Sequence, residues 1–131
     1  MIVDTSAWVE YLRGTGSPVH LGLRAQVEAG GDILVPELVV MELLAGAVDE
    51  RATRELRRLL HSFDVVPIAP IVDTERAAAL QRQCRRAGHT VRGIVDCMIA
   101  AMAVRLREPV LHLDRDFDVL AAHTELEVAA R

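Results

Sequence analysis

Short β-branched runs alternate with longer amphipathic stretches along the whole of this 131-residue chain, and that alternation restricts its fold more than any other feature. Strands separated by helix-length crossovers pair in parallel, and a parallel sheet needs helices over both faces. Ile2-Val3 opens a strand ending at Asp4, and Thr5 or Ser6 caps a helix to about Gly14, with Trp8, Leu12 and Tyr11 turned inward. Ser17-Pro18 starts a second helix, in which Val19, Leu23 and Val27 recur until Gly30-Gly31. Ile33-Leu34-Val35 reads as a strand, Pro36 to about Ala47 as a helix, and Asp49 caps a further helix with Ala52, Leu56, Leu59 and Phe63 on one face. Val65 to Ile68 is a third strand, with Pro67 at an edge or strand end. Helices follow over about Thr74 to Ala87, with Gly88 as the cap, and about Ile94 to Leu106. Pro109 to Leu113 is a fourth strand ending at Asp114, followed by a short helix near Phe117 to Ala122 and a last strand near Val128. The expectation is one α/β domain over residues 1–131, layered α/β/α, with a mostly parallel sheet of about five strands.

Charge narrows the chemistry. All 15 cationic residues are Arg, so P-loop, Schiff-base and other Lys-dependent sites are excluded. A net charge of −4 means that a nucleic acid cannot be held by overall attraction, so any such contact is local. Cys84 and Cys97 form no disulfide framework and the N-terminus has no basic leader, which together give the expectation of a cytoplasmic protein. The most apolar stretch, Ile94 to Val104, carries Asp96 and falls short of the ~20 residues a bilayer requires.

Ligands of open parallel sheets bind beyond the carboxyl ends of the strands, where strand order reverses. Asp4 and Asp114 stand at two such ends, although an Asp there also serves as a helix cap. Glu42 and Asp96 are lone charges on apolar helical stripes; a salt bridge from Glu42 to Arg92, or a helix-dipole role for Asp96, is the structural alternative. Four converging carboxylates would repel one another and raise each other's pKa unless a divalent cation neutralised them. An oxygen-only donor set selects Mg²⁺ or Mn²⁺, and the five histidines show no zinc-ligand spacing. The run Asp114-Arg115-Asp116-Phe117-Asp118 is not a calcium loop, because Val119 stands where the turn glycine belongs. Asp114 is the first choice as metal ligand, Asp116 a ligand or cap, and Asp118 a helix-terminal charge. Arg92 and Arg115, each within four residues of a candidate ligand, are candidates for phosphate contact.

Taken together, MIVDTSAWVEYL, PELVVMELLAG, TVRGIVDCMIAAMA and LHLDRDF resemble, in order and spacing, the PIN-domain ribonucleases, specifically the VapC-type toxins of toxin–antitoxin pairs. The resemblance places that family's acids on Asp4, Glu42, Asp96 and Asp114, with Asp116 as a frequent extra and Thr5 or Ser6 as its small hydroxyl residue. Gly93 departs from it, since a serine or other polar residue is expected there. What it implies is Mg²⁺- or Mn²⁺-dependent cleavage of RNA by an activated water, leaving a 5′-phosphate and a 3′-hydroxyl. Asp4, Asp96 and Asp114 would be ligands, Glu42 a ligand or water-positioning base, and Ser6 a phosphate or supporting contact. It also implies a homodimer and a VapB-type antitoxin whose tail occupies the site. The clustered acids and the apolar first helix add the expectation that this partner lays an apolar helix beside Trp8, Tyr11 and Leu12 and directs an arginine toward Asp4, Asp96 and Asp114. The competing reading is a non-catalytic RNA- or protein-binding module of the same fold.

Overall fold

The computed structural model describes residues 1–131. Four short strands, β1 (Ile2–Val3), β2 (Leu34–Pro36), β3 (Asp64–Val66) and β4 (Val110–Leu111), pair in parallel in the order β3-β2-β1-β4. Consecutive strand residues point to opposite faces of a sheet. Ile2 and Val3 are both fully buried, so both faces are covered and the architecture has three layers. The expected last strand is a single parallel bridge from Val128 to Val110, flanked by bonds from Val110 N–H to Glu127 C=O and from Ala129 N–H to Val110 C=O.

Seven helices cover the sheet: α1 (Thr5–Arg13), α2 (Pro18–Glu28), α3 (Glu37–Ala45), α4 (Glu50–Leu60), α5 (Val72–Arg86), α6 (Ile94–Leu106) and α7 (Arg115–His123). Their starts follow from local chemistry. The Asp4, Ser17, Asp49 and Asp114 side chains each accept a backbone N–H of the first turn they precede. Among the aromatic residues, Trp8 is fully buried, with Tyr11 and Phe63 against it at ring-centroid distances of 5.6 and 5.4 Å.

Several local expectations differ from the structure: α1 is capped by Asp4 rather than by Thr5 or Ser6, the third strand is Asp64–Val66 rather than Val65 to Ile68, and the helix expected near Phe117 begins at Arg115. Leu12, expected inward, is 46% exposed, because it lines a groove left open between α1, α3 and α4. Ala87 lies past the end of α5 and is exposed. The α5 helix begins at Val72 rather than Thr74, after a tight turn in which Ile71 takes φ 67° and Val72 N–H donates to Pro70 C=O at 2.7 Å. That early start carries Asp73 into the interior, where Arg105 of α6 donates to both its oxygens at 2.9 and 3.0 Å and Ala69 N–H adds a third bond at 2.7 Å.

The sheet order places the active region. From β1 the chain moves to β2 and β3 on one side, then returns to lay β4 on the other. The reversal therefore lies between β1 and β4, whose carboxyl ends lead into Asp4 and Asp114.

Candidate active site

Asp4 caps α1 directly at the end of β1, and its own N–H donates to Leu111 C=O at 3.0 Å, which ties it to β4. Its Oδ2 accepts Ser6 N–H at 2.9 Å and the Ser6 hydroxyl. Its Oδ1 is buried with no hydrogen-bond partner. Burial pushes the Asp4 pKa up against the bonds from Ser6, which pull it down. Ser6 Oγ also accepts Leu113 N–H at 2.9 Å, so one hydroxyl clamps the first acid to the loop that carries Asp114.

Asp96 lies in the first turn of α6, Asp114 caps α7 by accepting Asp116 N–H at 2.9 Å, and Asp116 Oδ2 accepts Gly93 N–H at 3.0 Å. One carboxylate oxygen from each of Asp96, Asp114 and Asp116 lies within 4.8 Å of the others. No arginine is bonded to these three. Burial first, and then the charges of Asp4, Asp114, Asp116 and Glu42, raise the Asp96 pKa to about 7. Glu42, on α3, joins the site through Thr5, whose Oγ1 donates to Glu42 Oε1 at 2.8 Å. The sequence alternative of an ion pair with Arg92 is not formed.

Asp116 thus converges with Asp96 and Asp114, while Asp4 and Glu42 lie near enough for their charges to act on Asp96. Arg92 and Arg115 are exposed at its rim. Asp118 points away from it and pairs with Arg131 at 2.9 Å.

Two further residues shape the site: Gly93, which the sequence marks only as a departure from the family pattern, and His112, which it does not mark. A Cβ on Gly93 would sit 2.4 Å from Asp96 Oδ2 and 3.2 Å from Asp116 Oδ2, so the glycine makes room for two carboxylates. Its φ of −76° is open to any residue, which makes the requirement steric rather than conformational. His112, almost fully buried, accepts Asp114 N–H on Nδ1 at 3.1 Å and shapes the turn after β4. Burial, with Arg131 adding to it, lowers the His112 pKa. The sequence signal for both was adjacency to a candidate acid.

The donor set consists of oxygen atoms only, and the orphaned Oδ1 of Asp4 lacks a partner that a cation would provide. These residues therefore fit a hard divalent cation. Toward α1, α3 and α4 a separate apolar groove of about 530 Å³, walled by Val9, Leu12, Leu43, Leu56 and Leu59, runs up to Thr5 and Glu42. No helix is long and apolar enough to cross a membrane.

Comparison with known proteins agrees with this architecture. The PIN domain family matches residues 1–123. The chain is 41% identical over 131 residues to ribonuclease VapC11 of Mycobacterium tuberculosis and to VapC ribonuclease Mb1587 of Mycobacterium bovis, covering 99% of this chain and 98% of each relative. Among solved structures it is similar to VapBC2 of Rickettsia felis bound to a promoter DNA fragment, with TM-score 0.77 at 15% identity over 98% of this chain and 96% of that one. It is also similar to VapC20 of Mycobacterium tuberculosis, a sarcin–ricin loop cleaving toxin, with TM-score 0.66 at 20% identity over 96% and 98% of the two chains.

Proposed function

The chain belongs to the PIN-domain family, and on that premise we propose that it is a metal-dependent endoribonuclease that acts as a growth-inhibiting toxin, with its reaction centre at the acidic cluster between β1 and β4. One observation carries this reading: three carboxylates converge within 4.8 Å, with no arginine bonded to them, beside a buried Asp4 whose Oδ1 has no partner. Such an arrangement is costly to a fold unless a cation completes it.

Asp4, Asp96, Asp114 and Asp116 would hold Mg²⁺ or Mn²⁺, with Glu42 as a further ligand or base. When bound, the ion would supply positive charge to the phosphodiester and would acidify the attacking water, whose proton Glu42 takes. The chain's own groups do the rest. Ser6 fixes the orientation of Asp4 and the Asp114 loop. Thr5 holds one Glu42 oxygen, leaving the other to orient a water and accept its proton. Arg92 and Arg115 contact RNA phosphates at the rim.

An RNA cleavage assay tests the reading directly. Cleavage in Mg²⁺ or Mn²⁺ that EDTA stops and added metal restores is the expected result. RNA binding with no cleavage in either metal would instead establish a binding module.

The same premise leads to a VapB-type antitoxin and a homodimer, the latter tested by sedimentation. Trp8 is buried and cannot line the partner's seat; the groove of Val9, Leu12, Leu43, Leu56 and Leu59 takes its place, and it opens onto Glu42. An apolar helix laid there could send an arginine to the carboxylates. Affinity should then fall with added salt and with excess Mg²⁺, since both act on the same charges.

A further inference from the structure

Proteins that hold single-stranded RNA stack its bases on flat side chains while cations follow its backbone. This chain has few flat side chains to offer. Trp8 and Phe117 are fully buried, and Tyr11 and Phe63 pack on Trp8. One ring pair has an exposed member: His89, in the loop between α5 and α6, stacks on His123 at the end of α7, with centroids 4.3 Å apart and planes 24° apart.

The pair is built by the fold. Gly88 takes φ 86° to turn the chain out of α5, and His89 N–H returns to Cys84 C=O at 2.9 Å, which fixes the loop. His123 is half-buried and His89 exposed, so one ring backs the other and His89 is left open to solvent. His89 also lines a cavity of about 440 Å³ with Thr90, Arg92 and Arg115, and Asp116 forms the wall of that cavity toward the acidic cluster. An exposed π surface, two guanidinium groups and a cluster acid therefore meet in one place. This is the donor pattern of a nucleotide, in which the phosphate is taken by arginine and the base by a ring.

We propose that this cavity seats one nucleotide of single-stranded RNA beside the acidic cluster, with its phosphate on Arg92 and Arg115 and its base stacked on His89. The inference rests on the endoribonuclease reading for its RNA substrate, but it makes a binding claim that can be measured without cleavage.

The test is fluorescence anisotropy of a short, labelled single-stranded RNA of mixed sequence, with Ca²⁺ in place of Mg²⁺, and with melting curves to verify that each variant is folded. His89→Ala should weaken binding about fivefold or more, the low end of what one stacked base contributes, and His89→Phe should restore it. A set of RNAs, each with one abasic position, sharpens the outcome. One position should cost wild type about fivefold and His89→Ala nothing, because the stacking partner is already gone. Arg92→Ala and Arg115→Ala should each lower the salt dependence of binding. Unchanged affinity in His89→Ala, equal losses in the Ala and Phe variants, an abasic penalty that persists without His89, or no RNA binding by wild type would each overturn the proposal. Cleavage by wild type is followed in parallel. A stacking signature without cleavage overturns the nuclease reading alone, and cleavage without the signature overturns this inference alone.

Discussion

Two buried carboxylates, Asp73 and Asp4, solve the same electrostatic problem in opposite ways. Asp73 is fully buried but receives both arms of Arg105 and the Ala69 N–H. Burial pushes its pKa up, and the Arg105 bond, the Ala69 bond and the Arg105 charge more than reverse that, leaving it below the usual carboxylate range. Asp4 is 3% exposed, is bonded only on Oδ2, and faces other acids; its pKa is raised. The first carboxylate is part of what holds α5 to α6, whereas the second belongs to a cluster that the fold leaves electrostatically incomplete. Buried acids of identical type thus differ in whether the chain itself supplies the cation.

Substitution at each cluster separates the two roles, with the largest effects expected here. Asp96→Asn or Asp4→Asn should lower RNA cleavage by about a hundredfold or more while leaving the metal-free fold as stable or more so, since each removes one of several mutually repelling charges. Asp73→Asn should do the reverse. It leaves Arg105 without its partner, which costs about 3 kcal/mol, and should leave cleavage unchanged below the melting transition. Thermal melts and cleavage rates on the same samples check both. Wild-type cleavage by Asp96→Asn would remove that residue from the reaction centre.

The same contrast has a pH form. For metal-free protein, the folded-state pKa of Asp96, about 7, lies above its ordinary value of 3.8, so its contribution to stability is full below about 4 and is lost as pH rises through 7. Asp73 has the opposite sign: its contribution is present above the ordinary carboxylate pKa and is lost as pH falls below it. Mg²⁺ must displace the Asp96 proton, so its affinity should rise up to about tenfold per pH unit below 7 and level off above. Titration calorimetry at pH 6 and 8, in buffers of different ionisation enthalpy, should show proton release at the lower pH only. At a hundred times its dissociation constant Mg²⁺ should add about 2.7 kcal/mol of stability, and Zn²⁺ should have no specific effect. Equal Mg²⁺ affinity at the two pH values would place the cation away from Asp96.

Much of this contrast can be read from the chain, but not evenly. Asp4 and Asp114 are visible because a strand end followed by a helix start fixes where they lie, and Glu42 and Asp96 because a lone charge interrupts an apolar stripe. Asp73 lies just before the helix start expected at Thr74, and nothing in the sequence pairs it with Arg105 near the end of α6. Only the packing of α5 on α6 brings these two residues, 32 apart in sequence, into contact. Periodicity marks the face of Leu12 without showing that α3 and α4 leave a groove open beside it. Asp116 follows Asp114 in the sequence ranking yet lies in the converging trio, since the cap formed by Asp114 turns the next acid toward Gly93.

Gly93 offers a sharper and smaller test of the incomplete cluster. A serine or alanine there must push Asp96 Oδ2 out of a 2.4 Å approach while leaving the Asp73 pair untouched. Gly93→Ala should therefore reduce cleavage by about 10- to 100-fold, the range for residues that orient ligands, with a weaker Mg²⁺ response and little change in metal-free melting. A variant that melts several degrees lower but keeps its Mg²⁺ response would assign the glycine to packing instead.

The smallest effect should come from Asp118, which shares a sequence run with two cluster acids but belongs to neither class of buried carboxylate. It is 54% exposed, its partner Arg131 is 37% exposed, and their 2.9 Å bond lies on the surface. Exposed pairs of this kind contribute about 0–1 kcal/mol. Its one link to the site is His112, whose Nε2 lies 3.6 Å from Asp118 Oδ1 and has no hydrogen-bond partner. That separation is too long for a hydrogen bond, and burial keeps the imidazole toward its neutral form. Asp118→Asn should accordingly leave cleavage within about twofold, shift stability by about 0.5 kcal/mol or less, and preserve the Mg²⁺ response. A loss of cleavage matching that of Asp4→Asn, with melting unchanged, would mean that the His112 contact reaches the Asp114 turn. The boundary of the electrostatically incomplete region would then lie one turn further along α7 than the three converging carboxylates mark it.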